Sequence, residues 1–199
     1  MKRLLFVLMF VASSAFASCD DLYPNGQKFT VAVATELCNS FYVSLFDKNR
    51  HAVIAVSEHL KKGTPVGSAT RGNNFQADPR VGPIPSNTQY LHSGFDKGHM
   101  APAADSSNAV EMDQSFLLTN MTPQAPQLNR GPWKRLEESV RDIFSKSKGD
   151  MYILTIAEYN GPTVMNGIPV PTGYWKIVFV DGQQFFFHAD NTNTSQVVR

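Results

Sequence analysis

The chain has 199 residues, of which 42% are hydrophobic and 11% aromatic. It is long enough for a single domain with a hydrophobic core, and wholesale disorder is excluded. Only two cysteines occur, which excludes a disulfide-dense scaffold and any multi-cysteine zinc or iron–sulfur cluster. The formal net charge is +1, so the protein is not globally basic, and contacts with phosphate have to come from a local cluster of cations.

The first residues have the layout of a secretory signal peptide. A basic start, Met1-Lys2-Arg3, precedes an unbroken apolar run over residues 4–11, and small residues end in the A-x-A site Ala15-Phe16-Ala17. The apolar run is too short for a membrane span, which needs about 20 residues, and a buried core helix is the alternative reading. We therefore predict a signal peptide of residues 1–17, cleaved after Ala17, and a secreted or periplasmic chain. Residues 18–199 are predicted to form a single domain.

Export gives the two cysteines an oxidising environment, which favours a Cys19–Cys38 disulfide. The alternative is a lipoprotein, because Phe16-Ala17-Ser18-Cys19 resembles a lipobox in which Cys19 would carry the lipid and Cys38 would stay free. Phe16 stands where lipoproteins usually have Leu, and the disulfide is therefore the preferred interpretation.

Strand-like runs lie on both sides of a long irregular segment. Residues 41–46 and 52–56 favour a hairpin, and residues 62–90, rich in Gly, Pro, Asn and Ser, predict a long loop of the kind that often carries function. Further strands are predicted at residues 116–119, 151–157, 175–180 and 184–188. The last two flank Asp181-Gly182, which is a strong signal for a tight hairpin.

One amphipathic helix is predicted at about residues 130–147. Pro132 suits its first turn, and apolar side chains recur at helical spacing, namely Trp133, Leu136, Val140, Ile143 and Phe144. Glu137 lies at the edge of this apolar stripe, whereas Glu138 points away from it. Strands that are interrupted by a long loop and one main helix predict an α+β domain with a central antiparallel sheet.

Residues that can carry chemistry concentrate between positions 94 and 137. Asp96-Lys97-Gly98-His99 places an acid, a cation and an imidazole within four positions, and Asn129 follows thirty residues later. Hydrolysis of a phosphodiester needs a base for the attacking water and a cation to hold charge on the phosphate. A neutral His99 can act as that base, and the Asn129 amide oxygen suits a hard Mg²⁺ ion that keeps most of its waters.

These motifs resemble those of the DNA/RNA non-specific endonuclease family, whose members have the ββα-metal (His-Me finger) nuclease fold. Asp96-Lys97-Gly98-His99 is similar to the family's D-R-G-H, whose histidine is the general base. By the same resemblance Asn129 matches the direct protein ligand of magnesium, and Glu137 matches a carboxylate that acts on the metal through water. Asn120 matches a supporting active-site asparagine, and Arg71 matches a phosphate-contacting arginine in the long loop.

The resemblance also implies an activity. It implies a secreted, Mg²⁺-dependent endonuclease that cleaves DNA and RNA with little sequence preference and leaves 5′-phosphates, with Mn²⁺ as a candidate substitute and any inhibitor protein unidentified. Tyr174-Trp175-Lys176 resembles a further family motif near the C-terminus. Two positions depart from the pattern: Lys97 replaces an arginine, which turns a two-pronged phosphate contact into a point charge, and Thr155-Ile156-Ala157 stands where many members have T-G-P.

Each candidate residue also has a purely structural interpretation. Asn129 can cap the helix, Glu137 can pair with the helix dipole, and Arg71 and Lys97 can be solvated charges. Asp96 is expected to orient the motif rather than to ligate the metal. At the level of function, the alternatives are an inactive nucleic-acid-binding or surface domain of the same fold, and a weaker zinc hydrolase reading based on His92 and His99.

Overall fold

The computed structural model describes residues 19–83 and 85–199, so the predicted signal peptide lies outside the described residues. The strands are β1 Thr35–Cys38, β2 Tyr42–Asp47, β3 Ala52–Leu60, β4 Asp96–His99, β5 Met121–Gln124, β6 Met151–Glu158, β7 Val164–Met165, β8 Ile168–Pro169, β9 Gly173–Val180 and β10 Gln183–Asp190. The helices are α1 Asn87–Tyr90, α2 Ala109–Ser115, α3 Pro126–Leu128 and α4 Lys134–Lys146. None of the described helices is both long and apolar enough to cross a membrane.

The described residues build a six-stranded sheet in the order β1-β2-β3-β6-β9-β10, and each neighbouring pair in it is antiparallel. The predicted hairpin of residues 41–56 is confirmed by β2 and β3. The hairpin of β9 and β10 turns at Asp181 and Gly182, whose φ angles are 48° and 74°. Positive φ at both turn residues matches the right-handed twist of the flanking strands, and this explains the Asp-Gly pair. The predicted α+β class with an antiparallel sheet is confirmed.

Helix α4 covers one face of the sheet. Its buried side chains Leu136, Val140 and Phe144 belong to the main core cluster, together with Val56 and Val178 from the sheet. The spacing of three to four residues puts these side chains on one side of the helix. The apolar stripe was therefore predicted correctly, and it fixes which side of α4 is turned away from the sheet.

One local prediction was wrong. Residues 116–119 are not a strand, because α2 runs to Ser115 and a 3₁₀ turn occupies Leu118–Asn120. A short apolar run cannot be assigned to strand or buried turn by periodicity alone.

The helix predicted at about residues 130–147 is confirmed, with one local difference. Its first turn, Asn129–Trp133, is a wider π turn in which Gly131 has the non-helical angles φ −116° and ψ −105°, and the regular α-helix α4 begins at Lys134.

The opposite face of the sheet is partly covered by the N-terminal segment. Phe29 and Ala34 pack on Leu45, Ala55 and Leu154. This segment is tied to the edge of the sheet by the Cys19–Cys38 disulfide, with the two Cα atoms 5.7 Å apart. A sulfur in a disulfide is not available for a lipid, so the structure agrees with the preferred interpretation of the cysteines.

The disulfide generates a stability prediction. It closes a loop of 19 residues, which is worth about 3 kcal/mol through the reduced entropy of the unfolded chain. We expect Cys38→Ser to lower the free energy of unfolding by that amount, as measured by urea denaturation followed by fluorescence. Wild-type protein unfolded in the presence of a thiol reductant should show the same loss, and a variant as stable as oxidised wild type would contradict the prediction.

Candidate active site

A cavity of about 740 Å³ opens between β4, the long loop and α4. Its lining combines five cations with two carboxylates, one histidine and one asparagine. The lining residues are Arg71, Phe75, Tyr90, Phe95, Asp96, Lys97, His99, Pro102, Ala103, Ala104, Asn129, Arg130, Lys134, Glu137 and Arg141. The predicted site residues Arg71, Lys97, His99, Asn129 and Glu137 are therefore brought together, although they span the sequence from the long loop to the main helix.

His99 ends strand β4 and is packed between two aromatic rings. Its ring lies 5.0 Å from that of Phe116 and 5.7 Å from that of Phe75, centroid to centroid. Its Nε2 atom is buried without a hydrogen-bond partner among the described residues, which leaves Nδ1 as the nitrogen that can face the cavity. Burial, with a smaller contribution from the Arg71 cation, lowers the pKa of His99 to about 3. The imidazole is therefore neutral at pH 7 and can accept a proton.

The backbone on both sides of His99 is held firmly. A Cβ atom on Gly98 would lie 2.3 Å from Oε1 of the buried Gln124 on β5, so this position requires glycine for β4 and β5 to pair. Asn120 is buried and does not line the cavity; its Oδ1 accepts from the Ala101 amide, and its Nδ2 donates to the carbonyls of Ala101 and Ser115. The predicted active-site asparagine thus supports the chain that follows the histidine.

Asp96 links β4 to the π turn. Its Oδ2 accepts a hydrogen bond of 2.8 Å from Nδ2 of Asn129, and both carboxylate oxygens accept from the Arg130 guanidinium at 2.6 and 2.8 Å. Burial acts to raise the pKa of Asp96, but the hydrogen bonds from Arg130 and Asn129 hold it below its usual range. The ionised carboxylate fixes the Asn129 amide, so that Oδ1 is the atom left for a cation.

Glu137 lies in the first turn of α4 and faces the cavity. Its carboxylate forms no hydrogen bond or ion pair with the described residues, in contrast to Asp96. Burial raises the pKa of Glu137 to about 7, with a further rise from Asp105 opposed by Lys176 and Arg141. The Glu137 carboxylate therefore faces the cavity without a protein partner among the described residues, and it is available to a cation or its water shell.

This donor set suits a hard cation that keeps several waters. The described residues hold no group of three His, Cys, Asp or Glu side chains that could bind a metal ion, so they provide no cage of the kind that zinc requires. One amide oxygen and one nearby carboxylate fit Mg²⁺, which dehydrates reluctantly and takes few protein ligands. His92 is exposed and does not line the cavity. The alternative hypothesis of a zinc hydrolase, which pairs His92 with His99 as ligands, therefore lacks one of its two ligands.

The cations of the cavity are held in different ways. The Lys97 ammonium lies 4.6 Å from the centre of the Phe75 ring and 5.5 Å from that of Tyr90, and burial lowers its pKa. Arg71 lies over the Phe116 ring at 5.5 Å. Aromatic faces attract cations, so both side chains are directed by contacts beside the histidine rather than by solvent.

Arg141 is one of three cavity cations that the sequence did not predict, together with Arg130 and Lys134. It lies four residues after Glu137 and therefore on the same side of α4. Its Nη1 donates a 2.8 Å hydrogen bond to the buried Asp105. The i, i+4 spacing from Glu137 was the signal that could have identified it. His51, His59 and His188 lie outside the cavity lining.

The sequence of this chain is similar to those of known proteins. The DNA/RNA non-specific endonuclease family model matches residues 20–198. A nuclease of Nostoc sp. (strain PCC 7120) is 37% identical over 169 residues, covering 75% of this chain and 58% of that protein. The nuclease of Serratia marcescens is 28% identical over 145 residues, covering 67% and 54%. The mitochondrial endonuclease G of Homo sapiens is 29% identical over 157 residues, covering 70% and 52%. The chain thus spans about half the length of these relatives.

A solved structure is similar to this chain in fold. A crystal structure of an EndoG/EndoGI complex, concerned with the mechanism of EndoG inhibition, superimposes with a TM-score of 0.68 at 26% identity and covers 80% of this chain and 76% of that one. In the present protein, β4 and α4 line the cavity and β5 pairs with β4, which gives the two strands and the helix of a ββα-metal unit. With a family model matched from residue 20 to residue 198, the chain belongs to the DNA/RNA non-specific endonuclease family.

Proposed function

We propose that this protein is a Mg²⁺-dependent endonuclease that hydrolyses phosphodiester bonds of DNA and RNA with little sequence preference. The observation that carries the proposal is a neutral His99 in a cavity that also holds Asn129, Glu137 and five cationic side chains. A domain that only binds nucleic acid needs basic and aromatic surface. Such binding does not require a neutral imidazole, here His99, in the same cavity as the Glu137 carboxylate, which has no partner among the described residues.

His99 is proposed as the general base. Its ring is held by Phe75 and Phe116, its backbone is fixed by Gly98 and Asn120, and its lowered pKa keeps the imidazole unprotonated at pH 7. The protonated imidazole is disfavoured by burial and by the Arg71 cation, so it returns its proton readily. Positioning the base in advance removes an entropic cost from the reaction.

Asn129 and Glu137 are proposed to hold the metal, Asn129 through Oδ1 and Glu137 through a water molecule, with Mn²⁺ as a candidate substitute. The bound ion would supply positive charge at the phosphate and a water that can protonate the leaving oxygen. Asp96 supports this role by keeping the Asn129 amide in one orientation. A 3′-oxygen leaving group gives products with 5′-phosphates.

The cations are proposed to bind the phosphate backbone. Arg71 and Lys97 lie on the side of His99, and Arg141 lies beside Glu137 on α4. Contacts to phosphate carry no direct sequence information, which supports cleavage of many sequences and of both nucleic acids. Lys97 acts as a point charge where other family members have arginine, and the two rings beside it restrict its position.

We propose that the chain is secreted or periplasmic, with a signal peptide of residues 1–17 and a single domain of residues 18–199. Mass spectrometry of the exported protein should give an N-terminus at Ser18 and a disulfide between Cys19 and Cys38. A lipid on Cys19, or two alkylatable thiols in natively exported protein, would contradict this prediction.

His99→Asn should abolish cleavage while nucleic-acid binding in EDTA is retained, because loss of a general base costs about 10²–10⁴-fold in rate. The measurement is a plasmid and RNA cleavage assay with and without EDTA. His92→Asn is the matched control, because His92 is exposed at φ 55°, a conformation that Asn tolerates.

Two results would overturn the proposal. A His99→Asn protein that cuts within tenfold of wild type removes His99 from the mechanism. Wild-type protein that binds nucleic acid but never cleaves it identifies the alternative, an inactive binding domain of the same fold.

Magnesium affinity should depend on pH through Glu137. The pKa of this carboxyl is raised to about 7, so below pH 7 it holds a proton that the metal has to displace. Affinity should therefore be about tenfold weaker at pH 6 than at pH 8, as measured by calorimetry without substrate. Glu137→Gln should remove the difference and the exposed Glu138→Gln should keep it; an unchanged difference in Glu137→Gln would exclude this role.

A further inference from the structure

Asp105 is a buried carboxylate directly behind the cavity wall. It ends the 3₁₀ turn Ala103–Asp105, and Ala103 and Ala104 of that turn line the cavity. The Asp105 side chain is only 2% exposed, and it accepts a 2.8 Å hydrogen bond from Nη1 of Arg141. The pair therefore connects the turn that follows His99 with the middle of α4.

More charged groups lie in the core behind this pair. Lys176 and Glu58 are 1% and 0% exposed, with Nζ of Lys176 at 3.9 Å from Oε1 of Glu58. Nζ of Lys176 also donates to Oγ1 of Thr155 at 2.7 Å. Burial raises the pKa of Glu58 well above its usual range, and it also raises that of Asp105, where the Arg141 cation opposes the rise. The 2.8 Å hydrogen bond makes Asp105 the carboxyl group of this cluster to which Arg141 is bound.

Such a cluster is a poor means of stabilising a fold. Removing several charges from water costs more than their attraction commonly returns, and apolar residues of similar volume often stabilise a core better. What the cluster does achieve is orientation, because a carboxylate fixed inside the core holds a long and flexible arginine at a defined place. The exposed end of that arginine belongs to the cavity.

We propose that Asp105 is a positioning residue for the cleavage reaction, which fixes the Arg141 guanidinium at the cavity wall so that it stabilises the charge that develops on the phosphate. The inference rests on the proposed nuclease function. An arginine that is already oriented needs no rearrangement when charge develops, and this is the condition under which such groups contribute most to rate.

The chain contains a matched control. Asp78 is a second buried carboxylate, 0% exposed in its side chain, and it holds Arg80 at 2.7 Å. Neither Asp78 nor Arg80 lines the cavity. Asp78→Asn and Asp105→Asn therefore both remove a buried charge from an Asp–Arg pair, and only the second touches an arginine of the cavity.

The experiment compares kcat and KM on a defined oligonucleotide for wild type, Asp105→Asn, Arg141→Ala, the double variant and Asp78→Asn. We expect Asp105→Asn to lower kcat by about 10- to 100-fold, the usual effect of losing an orienting partner, while KM stays the same or falls because a negative charge is lost. The double variant should be no slower than Arg141→Ala. Asp78→Asn should lose stability but keep kcat in its folded fraction.

A second measurement does not depend on the folding of a variant or on activity. In wild-type protein without nucleic acid, NMR of the arginine side chains should show slow rotation of the Arg141 guanidinium, as for Arg80. Rotation should be fast for Arg135, whose side chain forms no ion pair with the described residues. Arg141 that rotates as fast as Arg135 would overturn the inference.

The kinetic outcomes separate the two proposals. If wild type cleaves and Asp105→Asn has an unchanged kcat, or if the two substitutions act additively, the positioning role is wrong and the nuclease function stands. If wild type does not cleave with Mg²⁺, the proposed function itself fails.

Discussion

The Asp96 carboxylate holds the two halves of the site together. It belongs to the strand that ends in His99, and it accepts hydrogen bonds from Asn129 and Arg130 in the π turn. Without it, His99 on β4 and the Asn129 amide, which are proposed as base and metal ligand, would be joined only by packing. A single ionised group thus ties the strand of His99 to the turn that carries Asn129. The π turn matters for the same reason, since its width brings Asn129 and Arg130 to one carboxylate.

A nearly neutral chain concentrates its positive charge where the phosphate would bind. Five cations and two carboxylates line the cavity, although the whole chain carries a formal net charge of only +1. Each of Arg71, Lys97 and Arg141 is directed by a contact with the protein, either an aromatic ring or a buried carboxylate. Local placement, rather than overall charge, therefore provides the attraction for a polyanion. Burial, with a smaller contribution from the Arg71 cation, lowers the pKa of His99 in the same cavity.

The sequence was sufficient to predict the parts of the site that are local. The spacing of Asp96 and His99 and the turn before α4 predicted that His99 and Asn129 belong to one site, and they line one cavity; alternation with turn residues identified the hairpins. Arg141 and Asp105 were missed because their relation is tertiary: the two residues are 36 positions apart and meet only when α4 packs. The strand predicted at residues 116–119 failed because buried turns and buried strands share the same composition. The pKa values of His99 and Glu137 depend on burial, which a sequence does not display.

The contact between Gly98 and Gln124 has a consequence for how this family can vary. Any side chain at position 98 would enter the space of Gln124, since a Cβ would lie 2.6 Å from the Gln124 Cβ as well as close to its Oε1. The two positions lie diagonally across the β4–β5 ladder, because Gly98 pairs with Thr122 and Gln124 is two residues further along. A change at position 98 is therefore tolerable only together with glycine at position 124 or with a shift of one strand. Among related chains, the residues at positions 98 and 124 should therefore covary. Where the glycine alone is replaced, the histidine that follows it should be displaced.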